Sequence, residues 1–173
     1  MKKLVTLLTV AAALLFSACD CNKETQMKME ELIEKQALKE LVDTFSNLAD
    51  MRDTKTQSTL FTEDATMTSI VGGNASTLKG RDEIEKACAK FLSLFDTVYH
   101  SNGQQVVTID GDHAKGVSYC TVMLIGKNAE GVRTQNLQGV RYEDEYQKID
   151  GKWYIAKRTS HFEWSDVRPA GNQ

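Results

Sequence analysis

The chain contains three histidines, and histidine is the side chain best suited to exchange protons near neutral pH. The first of them, His100, alternates with Asn102, Gln104 and Val106 on one face of a predicted strand. This pattern indicates a polar lining toward the mouth of a cavity. The alternative for His100 is an interior histidine whose hydrogen bonds are satisfied within the protein, for example by Asp50.

The other two histidines are weaker candidates for chemistry. His113 adjoins the predicted turn Asp110-Gly111-Asp112, which indicates exposure to solvent. His161 shares a predicted strand face with Trp153, Ile155, Lys157 and Thr159 near the end of the chain, which favours a rim or structural role. The sequence has no GxSxG motif, no P-loop, no Rossmann glycine pattern and no cluster of metal ligands. We therefore expect neither a metal nor a cofactor.

The N-terminus predicts export from the cytoplasm. Lys2 and Lys3 precede an apolar run, residues 4–16, that is too short to span a membrane as a helix. The run ends in Leu-Phe-Ser-Ala-Cys at residues 15–19, which resembles the lipobox of bacterial lipoproteins. The resemblance implies a signal peptide over residues 1–18, lipidation of Cys19, and a membrane anchor in the bacterial cell envelope. The alternative is a plain secretory signal that is cut after Ala18 and leaves Cys19 free.

Charge and cysteine content narrow the class of protein further. Loss of residues 1–18 changes the formal net charge from −3 to −5, and such a mildly acidic, mixed surface argues against nucleic-acid binding. The remaining length suits one domain. Cys88 and Cys120 fall in a helical and a strand pattern, respectively. They are interpreted as apolar core thiols, with a disulfide between them as the alternative.

Three helices are predicted after a short polar tether, residues 19–26, to which no regular structure is assigned. Apolar residues at steps of three and four predict a long amphipathic helix from Met27, with this stripe: Ile33, Ala37, Leu38, Leu41, Val42, Phe45, Leu48 and Ala49. A short helix, residues 54–61, is predicted to be capped by Asp53. A third helix is predicted over residues 80–95.

Long alternating segments with turn punctuation predict strands in the rest of the chain: residues 64–71, 97–109, 114–125, 132–149 and 152–164. The last two form a hairpin across the tight turn Asp150-Gly151. Residues 27–166 therefore form the domain, and residues 167–173 a flexible tail. The segregation of helices and strands indicates an α+β fold in which helices cover one face of a strongly curved antiparallel sheet.

Four stretches together are similar to the nuclear transport factor 2-like superfamily, and within it to SnoaL-like proteins, which include polyketide cyclases and scytalone-dehydratase-like enzymes. The stretches are LFTEDA at residues 60–65, GRDEI at 80–84, GVRYEDEY at 139–146 and DGKWYIAKR at 150–158. The resemblance spans about residues 33–164. It implies a cystatin-like cone, a partial barrel of about six strands wrapped around three N-terminal helices.

The resemblance also implies a site. Asp50 and His100 occupy the places of an aspartate and a histidine that work in the pocket of the scytalone-dehydratase-like branch. The tyrosine that commonly precedes this aspartate is Ala49 here. The alternative for Asp50 is an exposed residue at the helix end or a cap for the next helix. Alternating positions predict further pocket-lining residues, with core packing as their alternative: Met67, Tyr119, Met123, Val140 and Tyr142. Arg141, Glu143 and Glu145 are predicted to form a charged outer face.

Two functional hypotheses follow. In the first, an envelope-anchored protein binds a small apolar or aromatic molecule in the cone, where Asp50 and His100 act as acid and base of a lyase or isomerase that needs no cofactor. In the second, the same cone is a binding or interaction module without catalysis, which forms a homodimer through its outer sheet face.

Overall fold

The computed structural model describes the backbone of residues 2–171 and the side chains of residues 23–171. The elements in chain order are α1 (Lys2–Asp50), α2 (Thr54–Ser58), β1 (Phe61–Val71), β2 (Asn74–Lys79), α3 (Arg81–Leu92), β3 (Thr97–Asp110), β4 (His113–Lys127), β5 (Arg133–Ile149) and β6 (Lys152–Pro169). The signal peptide predicted over residues 1–18 and the predicted lipidation site Cys19 lie outside the described side chains. The chain divides after Gln36 into two compact units.

In the first unit the described side chains, residues 23–36, belong to α1 and are mostly exposed. Ion pairs at the i, i+4 spacing join Lys28 to Glu24 and Lys35 to Glu31, each at 2.6 Å, and such pairs favour the helix. The tether was therefore wrongly expected to be irregular over residues 23–26. Ile33, expected on the buried stripe, is 58% exposed. No helix within the described residues is long and apolar enough to cross a membrane.

The second unit contains a curved, open sheet of six strands in the order β2-β1-β6-β5-β4-β3. Strands β3 to β6 form an antiparallel meander, and β1 pairs with β2 antiparallel and with β6 parallel. The α+β prediction with a curved sheet is confirmed. Strand β2 was not expected, because its exposed residues show no apolar alternation; it follows a turn in which Gly72 and Gly73 both have positive φ.

The turns and caps agree with the sequence, while two helices are shorter than predicted. Asp150 and Gly151 both adopt positive φ, the conformation that a two-residue hairpin turn requires. Asp53 caps α2, since its Oδ1 accepts a hydrogen bond from the Thr56 N–H at 3.1 Å. The two hydrogen bonds from Thr56 lower the pKa of Asp53. Helix α2 ends at Ser58 rather than residue 61, and α3 at Leu92 rather than residue 95.

The sheet has an inner face, which packs against residues 37–50 of α1 and against α3, and an opposite outer face. Apolar side chains of the helices and the inner face form the core, including Leu38, Val42, Phe45, Phe61, Ile84, Tyr146, Trp153 and Ile155. A second apolar cluster contains Ala49, Leu92, Val98, Cys120, Val122, Leu124, Val140 and Tyr142. These clusters decide which side chains point toward the interior.

Irregularities in strand pairing change the inner face along two strands. On β3 the pairing shifts between Asn102 and Gln105, so that the inward residues after Asn102 are Gln105 and Val107. The prediction that Gln104 and Val106 share the face of His100 is wrong, because one extra residue in a strand inverts the alternation beyond it. On β6 a similar shift beside Ile155 turns Arg158 inward.

Candidate active site

Asp50 is the last residue of α1, and the backbone beyond it forms a closed helix cap. Arg52 has φ of 58°, its N–H donates to the Ala49 carbonyl at 3.0 Å, and the Asp53 N–H donates to the Leu48 carbonyl at 2.9 Å. These two bonds and the left-handed residue are the Schellman arrangement, which ends a helix sharply. The cap therefore fixes where the Asp50 carboxylate is presented.

The side chain of Arg52 ties this helix end to the connection between α3 and β3. Its Nη2 donates to the carbonyl oxygens of Phe95 at 2.7 Å and Asp96 at 2.9 Å. His100 lies four residues beyond Asp96, on β3. The Arg52 contacts consequently hold the end of α1 against the start of the strand that carries the histidine.

Polar contacts continue along the interface between α1 and β3. Ser46 Oγ donates to Asn102 Oδ1 at 3.0 Å, and Asn102 Nδ2 donates to Asp43 Oδ1 at 2.9 Å. Ser46 and Asp50 are four residues apart, so one face of the helix meets inward residues of one strand. This register places Asp50 opposite His100.

Asp50 makes two hydrogen bonds to His100. Its Oδ1 lies 2.6 Å from His100 Nδ1, and its Oδ2 accepts from the His100 backbone N–H at 3.1 Å. The side chain of His100 is 9% exposed and that of Asp50 24% exposed. The structure thus brings together the two residues predicted for the site. Asp50 is neither an exposed helix end nor an N-cap, which were the two alternatives for it.

This double contact sets the chemistry that the imidazole can perform. When Nδ1 carries the proton and donates it to Asp50, Nε2 of the neutral ring keeps its lone pair. The carboxylate then holds the ring in one orientation, in which Nε2 can accept a proton. An arrangement of this kind can remove a proton from a ligand and return it.

A second pair of a carboxylate and a basic side chain, Asp144 and Arg158, lies deeper in the interior. Arg158 is fully buried, and its Nε and Nη2 donate to Asp144 Oδ1 and Oδ2 at 2.8 and 2.7 Å. The Tyr146 hydroxyl donates to Asp144 Oδ2 at 2.8 Å. The guanidinium carbon lies 4.2 Å from the ring centre of Phe45 and 4.4 Å from that of Tyr142. We call Arg158, Asp144, Tyr146, Phe45 and Tyr142 the arginine cluster.

Burial and neighbouring charges fix the protonation states of Arg158, Tyr142 and Tyr146 in the arginine cluster. Desolvation works against the charge of Arg158, but Asp144 outweighs it and raises the pKa of the guanidinium. Burial is the largest cause of the raised pKa of both Tyr142 and Tyr146. The guanidinium and both phenols therefore stay protonated at neutral pH. Within the described chain, Nη1 of Arg158 is buried with no hydrogen-bond partner.

Cys120 lies between the Asp50–His100 pair and the arginine cluster. Its thiol is within electrostatic reach of both Asp50 and Arg158, and its Sγ donates to the Thr121 carbonyl at 3.5 Å. Tyr142 belongs to the same apolar cluster as Cys120. Burial raises the pKa of this thiol to about 11, and burial likewise raises that of Cys88 to about 11. Both cysteines are free thiols. Cys120 and Tyr142 thus connect the two polar regions of the interior.

The pocket-lining residues predicted from the sequence lie on both faces of the sheet. Val140 and Tyr142 are buried on the inner face, and Met67 packs against the core. Tyr119 and Met123 lie on the outer face, because they alternate with the buried Ser118, Cys120, Val122 and Leu124. Their assignment to the interior is wrong. Strand β4 carries apolar residues on both faces, so the alternation of residue types does not distinguish its inner face from its outer face.

The remaining predictions concern residues on the surface. His113 is exposed, as its turn predicted. Arg141 pairs with Glu143 and Glu163 on the outer face, and Lys157 with Glu145. His161 also faces outward, 3.5 Å from Glu143. The charged outer face is therefore observed. Among the described residues, no three His, Cys, Asp or Glu side chains are arranged to hold a metal ion.

Asp144 and Arg158 were missed as functional candidates. The sequence holds a signal for Asp144, since it alternates with Tyr142 and Tyr146, which are both buried. No comparable signal exists for Arg158, because simple alternation from Trp153 and Ile155 places Lys157 inward instead. Only the pairing shift beside Ile155 reverses that order.

Comparisons with known proteins agree with this architecture. Residues 30–159 match the model of the SnoaL-like domain. A putative scytalone dehydratase from Novosphingobium aromaticivorans is 19% identical with a TM-score of 0.69, over 83% of this chain and 91% of its own. The hexachlorocyclohexane dehydrochlorinase LinA-type3 from Novosphingobium barchaimii is 19% identical with a TM-score of 0.68, over 84% and 96%.

A protein with a cystatin-like fold from Nostoc punctiforme is 24% identical with a TM-score of 0.61, over 76% of this chain and 92% of its own. No curated protein matches the sequence. At these identities the solved structures establish the fold alone. The domain match extends over most of the chain, from before the end of α1 to β6, and the protein belongs to the SnoaL-like family.

Proposed function

We propose that this protein binds a small, partly apolar molecule between the end of α1 and the inner face of the sheet and acts on it as a lyase or isomerase without a cofactor. The observation that carries the proposal is the double contact from Asp50 to His100, at 2.6 and 3.1 Å. A carboxylate that holds both the ring and the backbone of one histidine leaves that ring little freedom to turn. Such fixed orientation is what a general base requires.

In the proposed reaction, Nε2 of His100 removes a proton from a carbon of the ligand. The electron pair of that C–H bond forms a carbon–carbon double bond, and a group on the adjacent carbon leaves with its bonding electrons. For a hydroxyl leaving group, the imidazolium returns the proton to the departing oxygen, so that water is released. For an isomerisation no group leaves: the electron pair of the C–H bond moves toward an adjacent carbonyl to give a conjugated enolate, and the imidazolium returns the proton to a different carbon of that system as the carbonyl re-forms.

The arginine cluster supports a ligand with a hydrogen-bond acceptor. Buried polar groups are nearly always hydrogen-bonded, and Nη1 of Arg158 lacks a partner within the described chain. The rings of Phe45 and Tyr142 flank the guanidinium and offer apolar contact. A molecule with an apolar or aromatic body and a carbonyl, hydroxyl or halogen substituent matches these groups.

The reaction class is also in keeping with two structural neighbours, one called a putative scytalone dehydratase and the other a hexachlorocyclohexane dehydrochlorinase. Assays should therefore include cyclic β-hydroxy ketones, which can lose water, and hexachlorocyclohexane, which can lose hydrogen chloride. With a substrate that turns over, His100→Gln and Asp50→Asn should each lower kcat/KM by about 10²- to 10⁴-fold. Glu143→Gln, on the outer face, is the matched control and should leave kcat/KM unchanged.

Unchanged kcat/KM in both Asp50→Asn and His100→Gln would contradict catalysis by this pair. If the protein retains a small molecule in native mass spectrometry but turns over none of the substrates, that result supports the second hypothesis, a binding module without catalysis. The burial of Ala49 in the apolar cluster favours that hypothesis, because this position offers no hydroxyl.

We further propose that the protein is a lipoprotein of the bacterial cell envelope, anchored through Cys19. The support is the sequence at residues 15–19 and the apolar run before it. Two or more acyl chains give stable anchoring. The variant Cys19→Ser should move the protein from the membrane fraction to the soluble fraction, whereas Cys21→Ser should not. Membrane association that survives Cys19→Ser would contradict the anchor.

A further inference from the structure

A groove lies on the outer face of the sheet, opposite the Asp50–His100 pair. Its volume is about 360 Å³, and it spans β3, β4, β5 and β6. Ser101 follows His100 directly on β3, so its side chain points to the other face of the sheet. The groove therefore opens on the face away from the Asp50–His100 pair, and nothing in the proposed reaction uses it. Cys120 and Val140, which are buried in the apolar cluster of the inner face, also line it.

Three neighbouring positions in one row across the outer face, Ser101, Thr121 and Gly139, carry a small side chain or none, and this leaves room for the groove. Ser101 pairs with Thr121, Thr121 with Gly139, and Gly139 with Trp164. The indole of Trp164 lies directly over Gly139, where an added Cβ would come within 2.1 Å of the indole Nε1. The missing side chain at Gly139 thus allows Trp164 to form one end of the groove.

Aromatic and uncharged polar residues both line the groove. Trp164 is 50% exposed and Tyr119 is 43% exposed, so both residues present part of their surface to solvent. Ser101, Thr121 and Gln104 line the same groove. A ligand that fills this groove must contact the rings with an apolar surface and satisfy the hydrogen-bonding groups along its edge.

The charges at the rim favour a neutral ligand. Glu163 lines the groove, and its Oε1 accepts a hydrogen bond from Arg141 Nε at 2.9 Å. Arg141 partly offsets the charge of this carboxylate, which weakens its attraction for a cationic ligand. Arg141 is itself paired with a second carboxylate, Glu143, which disfavours an anionic ligand. Among the described residues, each of these three charged side chains has an oppositely charged partner at this rim.

We propose that the groove binds a neutral pyranose unit of an oligosaccharide. The flat faces of a sugar ring carry C–H groups that pack on Trp164 and Tyr119, while its hydroxyls hydrogen-bond with Ser101, Gln104 and Thr121. A purely apolar ligand would remove water from these three side chains and offer no hydrogen bonds in its place, which is unfavourable.

The full chain offers a direct reporter for this site, because one tryptophan lines the groove and the other does not. Trp153 is 4% exposed and lies in the core. Titration with maltotriose, cellotriose and chitotriose, followed by NMR of the two indole N–H groups, should move the Trp164 signal saturably with at least one sugar. The Trp153 signal should stay in place.

Variants on the same face provide matched comparisons. Gly139→Ala forces the indole away, and Tyr119→Ala removes a ring; each should raise the Kd by about tenfold. Tyr99→Ala removes another exposed tyrosine, one row away on β3, and should leave the Kd within about twofold. Circular dichroism establishes that each variant is folded.

Three results would overturn the proposal. The first is a Trp164 signal that no sugar moves at concentrations up to about 20 mM, well above a millimolar Kd. The second is an equal shift with sorbitol, an open-chain polyol. The third is a shift that follows protein concentration rather than sugar concentration, because a second copy of the chain would then cover the groove.

Discussion

Two pairs of a carboxylate and a basic side chain lie on the inner side of the sheet, and they differ in access to solvent. In the Asp50–His100 pair both side chains keep some exposure, whereas those of Arg158 and Asp144 are 0% and 1% exposed. The first pair joins a helix end to a strand and the second joins two neighbouring strands. A base must reach its substrate, so the Asp50–His100 pair suits proton transfer. The sealed pair suits structure, and of its side-chain polar atoms only Nη1 of Arg158 lacks a partner among the described residues and is left for a ligand.

The largest expected effect concerns the stability that the sealed pair provides. Asp144→Asn should lower the free energy of unfolding by about 3–5 kcal/mol, because it leaves the buried charge of Arg158 uncompensated. Urea denaturation measures this loss. The neighbouring outer-face change Glu143→Gln is the control and should cost at most about 1 kcal/mol, as exposed ion pairs do.

A paired substitution checks the physical reason for that loss. Asp144→Leu combined with Arg158→Met removes both charges and should destabilise the protein less than Asp144→Asn alone. A loss below about 1 kcal/mol in Asp144→Asn would break the comparison, because the pair would then contribute no more than an exposed one.

The next effect concerns Cys120, which lies between the two pairs. Its pKa of about 11, against an ordinary value of 9.0, should make the folded thiol about 100-fold less thiolate than the unfolded one at pH 8. Alkylation by iodoacetamide at pH 8, located by peptide mapping, should be slower by about that factor in native than in urea-unfolded protein. Equal alkylation rates in native and unfolded protein would show that Cys120 is accessible to solvent in the folded state.

The same raised pKa values predict a dependence of stability on pH. In the folded state, burial favours the neutral thiols of Cys88 and Cys120, so their contribution to stability is fully present below pH 9. It is lost as the pH rises toward 11. The urea midpoint should therefore fall between pH 9 and 11, and a Cys88→Ala, Cys120→Ala variant should show a smaller fall.

The smallest loss of stability among these substitutions is expected at the Asp50–His100 pair. Asp50→Asn keeps an oxygen for the His100 backbone N–H and changes a partly exposed contact, so it should cost about 0.5–1.5 kcal/mol in urea denaturation. Its effect on kcat/KM should be far larger. If Asp50→Asn destabilised the protein as much as Asp144→Asn, the two pairs would have the same structural role.

The fold was accessible from the sequence because its turns and its periodicity are local. The Asp150-Gly151 turn sets the last hairpin, and the apolar stripe of α1 sets the helix that packs on the sheet. Neither depends on knowing how distant strands pair. The boundaries of β3 to β5 followed within two residues for the same reason. Strand β6, however, continues past its predicted end at residue 164 to Pro169, so residues 167–169 belong to the sheet and not to the predicted flexible tail.

The orientation of side chains was less accessible, because it depends on strand pairing. One extra residue on β6 turns Arg158 inward, and no residue type marks that position. One extra residue on β3 turns Gln104 outward, and Gly103 at that irregularity is its only local signal. Asp50 and His100 came from a family resemblance rather than from any local pattern. Their contact required the register between α1 and β3, which only the folded chain supplies.

The central claim, that Asp50 holds His100 as a base with Nε2 available, has a direct test in the free protein. Nitrogen-15 NMR of the His100 ring at pH 8 should show the proton on Nδ1 and none on Nε2, and Asp50→Asn should abolish that preference. A native ring with its proton on Nε2 would contradict the claim, because the nitrogen available to a ligand would then have no lone pair with which to accept a proton.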